Sequence, residues 1–143
     1  MIKLLTILLM LPLLCCSKEQ IELTLTGEKI TKGTKKGKIY DINILTVTGS
    51  RSKEDIITVI NDGKLSLNKI YSEFLDKKPD FSGKILLKLT IAENGSITNA
   101  DIVHSTTEYA EFDEAIRKEI STWKWKLIKK GNTTVTAILY FTE

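Results

Sequence analysis

The chain of 143 residues has two cysteines, two prolines and one histidine. It has no long apolar run beyond its first sixteen residues. Each shortage excludes something. Cys15 and Cys16 are adjacent and near the start, so whatever follows them has neither a disulfide nor thiol chemistry. With only Pro12 and Pro79 the chain cannot contain a proline-rich spacer. His104 stands alone, without His or Cys partners for a metal. Neither Ser105 nor Ser121 has the glycine-rich elbow of a nucleophilic triad. There is no glycine-rich phosphate loop. Lys and Arg number 21 against 18 Asp and Glu, a near balance that lacks the concentrated basic surface nucleic acid requires. No catalytic residue, metal ligand, cofactor or nucleic-acid contact can be assigned from the sequence.

The most informative feature is the beginning. Met1-Ile2-Lys3 is a short basic start, Leu4 to Leu14 is apolar except for Thr6, and Cys15-Cys16-Ser17 follows at once. Charge, apolar region and a cysteine at the cut are the layout of a bacterial lipoprotein signal peptide. The run is shorter than the roughly 20 residues a spanning helix needs. Cys16 has Leu13 three residues before it and the small Cys15 directly before it, a better fit to lipidation than Cys15, which has Pro12 and Leu14 there. The alternatives are an ordinary secretory signal, against which the missing Ala-x-Ala cut site counts, and an uncleaved anchor. Residues 1–15 are therefore expected as signal, and about 127 residues follow it, enough for one domain and too few for two. Ser17 after the lipid cysteine, rather than Asp, points to the outer membrane by the rule for enteric lipoproteins.

Residues 16–44 read as a lipidated tether with a short strand. Ile21 to Thr26 alternates as a strand does, and Lys32, Lys35, Lys36 and Lys38 among glycines and threonines read as solvated linker. A tether of ~30 residues reaches roughly 30 Å as a flexible coil. A second alternating run covers Ile39 to Thr48, ended by Gly49-Ser50. A helix is predicted from Ser52, whose Ser-Lys-Glu-Asp start is a weak capping box with acids in the first turn. Ile56, Ile60, Leu67, Ile70, Tyr71 and Phe74 form its apolar face. Asn61-Asp62-Gly63 predicts a kink or two shorter helices, and Pro79 predicts the stop. Lys84 to Ile91 and Ile97 to His104, joined through Asn94-Gly95, predict a β-hairpin with Ile85, Leu87, Leu89 and Ile91 inward. A second helix is predicted from Tyr109 to Trp123, with Phe112, Ala115, Ile116, Ile120 and Trp123 on one face. Its crowded acids, Glu108, Glu111, Asp113 and Glu114, are accounted for by the helix dipole rather than by acid–base catalysis. Thr133 to Phe141 is a run of β-formers.

The order of these elements resembles the carboxy-terminal domain of TonB, and within it the branch labelled AgmX/PglI in gliding-motility proteins. The resemblance runs from about Leu45 to Phe141. It rests on Thr48-Gly49-Ser50 before Ile56 and Val59-Ile60, on Tyr71, and on Pro79, Phe81, Gly83-Lys84 and Leu89 leading into the hairpin. Asn94-Gly95 and Ile97 at the tip, Ala100, Val103 and Ser105 on the return, Trp123-Lys124-Trp125 and Val135 to Phe141 complete it. It implies an α+β fold over residues 45–143: a small antiparallel sheet of three to four strands with two helices on one face. It also implies an envelope compartment facing the periplasm. Three departures limit it. The cysteine pair of the gliding branch is replaced by Ile70 and Ala115, and the proline after the aromatic exit is Lys126. The spanning helix and proline-rich linker through which TonB couples to its motor have no counterpart, so energy transduction is not implied.

What the resemblance does imply is a non-enzymatic module that captures an extended peptide or protein segment by strand addition. The last strand lacks proline and internal lysine, the usual edge-blocking devices. Thr134, Thr136, Ile138 and Tyr140 are accordingly the candidate partner-binding residues, with a homodimer through the same edge as a second outcome. A small ligand or cell-wall polymer bound by the basic tether and the Trp125 region is the alternative. Trp123, Trp125 and Tyr140 read either as an aromatic binding surface or as packing. Asn94-Gly95-Ser96 and Asn132-Thr133-Thr134 match the glycosylation sequon and read as turns. The lipoprotein expectation is directly testable. Metabolic labelling with a fatty-acid analogue should mark the wild-type chain and not Cys16→Ser, and an unlabelled wild type removes the lipid anchor.

Overall fold

The computed structural model describes residues 38–142. The signal region with Cys15 and Cys16, the strand expected at Ile21–Thr26, and Lys32, Lys35 and Lys36 lie outside the described residues. Within them the order is β1 (Lys38–Thr48), α1 (Lys53–Lys77), β2 (Gly83–Ile91), β3 (Ile97–Ser105), α2 (Ala110–Ser121) and β4 (Thr133–Thr142). The four strands form one antiparallel sheet in the order β1-β4-β2-β3. Strand β1 straddles the boundary expected at residue 45: residues 38–44 belong to the sheet, not to a tether.

Helix α1 begins where the capping pattern places it. The Ser52 side chain accepts a hydrogen bond from the Asp55 N–H at 3.2 Å, satisfying one of the free donors of the first turn. Ile56, Ile60, Leu67, Tyr71 and Leu75 are buried along one stripe. The expected interruption at Gly63 does not occur, and α1 is continuous from Lys53 to Lys77. The reason is tertiary. A Cβ at residue 63 would fall inside the indole of Trp123, so the glycine serves close approach, not a bend. The helix ends with the Lys78 N–H on the Phe74 carbonyl at 2.9 Å, just before Pro79.

In the hairpin, Ile85, Leu87, Leu89 and Ile91 are buried and Lys84 and Lys88 exposed, as the alternation predicts. The turn differs from a two-residue Asn-Gly turn. Ala92 to Ser96 is closed by the Ala92 N–H on the Ser96 carbonyl at 2.8 Å, and Asn94 keeps a negative φ. Its Oδ1 instead accepts from the Ser96 N–H at 2.9 Å, the local turn that asparagine makes with its own backbone. Gly95, at φ 86°, lets the segment after α2 press onto the turn: a Cβ there would overlap the Trp125 carbonyl, and the Trp125 N–H donates to the Gly95 carbonyl at 2.9 Å.

Strand β4 alternates strictly, with Thr133, Val135, Ala137, Leu139 and Phe141 buried against the helices. Helix α2 adds Phe112, Ile116 and Ile120 to the same core. Phe112 is the hub of an aromatic cluster. Its ring centroid lies 4.9 Å from both Phe81 and Phe141, 5.5 Å from Phe74 and 5.6 Å from Tyr71. Most of these pairs meet edge to face, the arrangement that ring quadrupoles favour. The buried Tyr71 hydroxyl donates to the Phe81 carbonyl at 2.6 Å.

The contact between Gly63 and Trp123 predicts a reversal of sign. Gly63→Ala should gain about 1 kcal/mol of helix propensity and lose more, about 1–3 kcal/mol, by displacing the indole. In a Trp123→Ala background the same substitution should stabilise. Urea unfolding of the four proteins measures both effects.

Candidate functional site

Strand addition requires an edge, and the edges are not where the sequence pattern places one. Strand β4 is interior, bonded to β1 on one side and β2 on the other. Thr136 stands between Thr46 and Lys88, Ile138 between Asn43 and Leu86, Tyr140 between Asp41 and Lys84, and Thr134 between Thr48 and Thr90. The four candidate residues therefore form a half-buried row down the middle of the open face of the sheet, not an exposed edge. The absence of proline and internal lysine in this strand is the mark of a central strand, which needs every backbone donor.

Among the described residues the edges are β1 and β3, each paired on one side. Both carry β-bulges. In β1 the extra residues are Tyr40 and Leu45, and in β3 they are Thr98 and Val103. Leu45 and Val103 are among the few large apolar side chains left exposed, 47% and 57%. A bulge turns a side chain outward and interrupts the ladder, which limits uncontrolled pairing. What remains regular is a four-residue window on each strand, 41–44 in β1 and 99–102 in β3.

The surroundings of the two windows differ. Along β3 a groove of about 640 Å³ is lined by Asn99, Ala100, Asp101 and Ile102 from the strand and by Ala110, Asp113, Glu114 and Arg117 from α2. Glu114 and Arg117 form a forked ion pair, with Nε to Oε2 at 2.7 Å. It holds the Glu114 carboxyl below the usual carboxylate range, chiefly through the hydrogen bond from Arg117, and raises Arg117 for the same reason. Asp113 accepts from the Thr107 hydroxyl at 2.6 Å. Beside β1 lies a cleft of about 350 Å³ lined by residues 44–47 with Gly49, Arg51 and Lys53. Among the described residues its one helical lining residue is Lys53, the first of α1.

Arg51 is the residue that sequence reasoning missed. It is buried, 4% exposed, and its guanidinium donates to the Lys126 carbonyl at 2.6 Å and the Ala92 carbonyl at 2.8 Å. Desolvation pushes it below the ordinary arginine value, opposed in part by Asp55. Both terminal nitrogens of the guanidinium are engaged by backbone carbonyls, so Arg51 clamps two loops. Its own N–H reaches the Thr133 hydroxyl at 3.3 Å. No local pattern around Arg-Ser-Lys would have signalled this, because its partners are forty to eighty residues away.

The aromatic residues do not make one surface. Trp125 is buried, 5% exposed, which removes it as a platform for a polymer or small ligand. Trp123 is half-buried over Gly63, with its ring centroid 6.3 Å from that of Trp125. Tyr140 points to the opposite face of the sheet. His104 is exposed on β3, opposite Leu86. Among the described residues no group of three or more His, Cys, Asp or Glu side chains is placed to hold a metal, and no helix is long and apolar enough to cross a membrane.

The family model described as the Gram-negative bacterial TonB protein C-terminal matches residues 76–142. The match spans β2, β3, α2 and β4 and leaves β1 and nearly all of α1 outside it. It indicates an envelope-associated protein-interaction domain. A search of curated proteins and a search of solved structures found no match.

The Arg51 clamp has a measurable consequence. Arg51→Ala removes the bonds to the Lys126 and Ala92 carbonyls and leaves a void where the buried side chain stood, and should cost about 2–4 kcal/mol. Hydrogen exchange should accelerate first at the Trp125 and Ile128 amides, which bond to Gly95 and Glu93 across the clamped loops.

Proposed function

We propose that the protein is an envelope lipoprotein, anchored through Cys16 and facing the periplasm, whose domain is a non-enzymatic module that captures an extended segment of a partner protein at a free sheet edge. Three things support this reading: the lipoprotein layout of residues 1–16, the match to an envelope interaction domain, and the two strands that, among the described residues, pair on one side only. The last carries most weight. An unpaired row of backbone N–H and C=O groups is a template for another strand. Main-chain hydrogen bonds supply affinity, and alternate side chains supply selectivity. The lipid and tether confine capture to the neighbourhood of the membrane, and Ser17 favours the outer one. A second copy pairing at the same edge would give a homodimer by the same physics.

Site-specific photocrosslinking in living cells tests the reading, with probes at Leu45 for the β1 edge, Val103 for the β3 edge, and the exposed Leu65 of α1 as control. A discrete adduct at one edge and not at Leu65 is expected, and its mass identifies the partner. An adduct of twice the chain mass identifies self-pairing at that edge. Equal labelling at all three positions, or none at either edge, sinks strand addition.

A further inference from the structure

We infer that the groove between β3 and α2 is the capture surface, and that its partner is a basic extended peptide bearing neighbouring Lys or Arg residues. The inference rests on the strand-addition reading and specifies its edge and its chemistry. A strand added beside β3 would lie about 4.8 Å from it, along the regular window Asn99–Ile102, with the bulges at Thr98 and Val103 marking its ends. Helix α2 provides a wall on one side, as the 640 Å³ groove shows. Ala100 and Ala110 keep that groove open, since neither side chain extends beyond Cβ. The cleft beside β1 is lined, among the described residues, by one helical residue, Lys53 at the start of α1, and α1 meets β1 at its other end, where Asn68 Oδ1 accepts from the Ile39 N–H at 2.7 Å.

Charge distinguishes the two edges further. Three carboxylates line the β3 groove, Asp101, Asp113 and Glu114, against the single guanidinium of Arg117. Glu114 is paired with that guanidinium and with the Lys118 ammonium at 3.8 Å, so among the described residues the acids of the groove left without an ion pair are Asp101 and Asp113. At the β1 cleft the charged lining residues are Arg51 and Lys53, both cationic. The acids also stand on two sides of the incoming strand. Asp113 and Glu114 belong to the helical wall, whereas Asp101 shares the register row of the exposed Lys88 and so lies on the open face. Successive side chains of a strand point to opposite faces. Two adjacent basic residues would therefore meet Asp101 on one side and the α2 carboxylates on the other. Isolated basic residues at alternate positions would meet one side only.

The test uses the purified full-length chain in detergent micelles and three fluorescent octapeptides of one β-branched sequence, with Lys-Lys, Gln-Gln or Glu-Glu at the centre and a photoreactive group at one end. The Lys-Lys peptide should bind about tenfold more tightly than Gln-Gln at low salt, the size expected of two or three partly exposed ion pairs. The gap should narrow as salt shortens the screening length, and crosslinks should fall within residues 97–105. The double variant Asp101→Lys, Glu114→Lys should reverse the preference towards Glu-Glu while still binding Gln-Gln, which shows that the edge is intact. Equal binding of all three peptides at β3 overturns the charge assignment and leaves strand addition standing. Crosslinks at β1 overturn the choice of edge and also leave it standing. Failure of every peptide to crosslink at either edge overturns both readings together.

Discussion

The ring contact of Phe112 holds the domain together. It is the point at which both helices, the turn before β2 and the last strand meet: Tyr71 and Phe74 come from α1, Phe81 from the turn and Phe141 from β4. Tyr71 reinforces it by packing against Phe81 and Phe141 at 5.1 and 5.3 Å while bonding the Phe81 carbonyl. A buried hydroxyl needs a partner, so this tyrosine fixes the path of the chain after Pro79 as well as filling space. With the helices pinned at that end, α2 runs beside β3 and makes the wall of the groove. The geometry of the groove is thus set by a cluster that is not among its lining residues.

The other end depends on a polar device. Arg51 joins the start of α1 to the hairpin loop and to the segment after Trp125. Gly95 and the Trp125 N–H complete the same junction. An aromatic core at one end and a buried guanidinium at the other leave the middle of the sheet to simple alternation. There β4 needs only to be apolar on one side and free of proline.

The placement of β4 decides which strands form the edges of the sheet. Inserted between β1 and β2, it gives up both rows of its backbone groups, and among the described residues the edges pass to β1 and β3. Both edge strands are bulged, which shortens their regular windows to four residues. Short windows favour a defined short segment over indefinite pairing. The β3 window borders a groove walled by α2 and lined by three carboxylates, whereas the charged residues lining the cleft beside β1 are cationic.

Much of the fold was legible in the sequence. The start of α1 at Ser52, its end before Pro79, the inward row of β2 and the burial of Phe112, Ile116 and Ile120 follow from local periodicity and capping, which need no knowledge of distant residues. Gly63 predicts a kink or a break because a glycine's local preference and its use for close approach look the same until Trp123 is placed above it. Asn94-Gly95 marked the hairpin correctly but not its turn, since the docking of Trp125 selects a longer loop. The candidate site fared worse. The alternation of Thr134, Thr136, Ile138 and Tyr140 is a property of the strand itself, whereas being an edge is a property of what lies beside it. Residues 38–48 occupy that place, and no local pattern records which strand they pair with. The sequence by itself determined the elements, their buried faces and the lipoprotein-like start. Strand order, the Arg51 clamp and the groove beside α2 were decided only in three dimensions, because each joins residues whose affinity for one another appears only once the chain has brought them together.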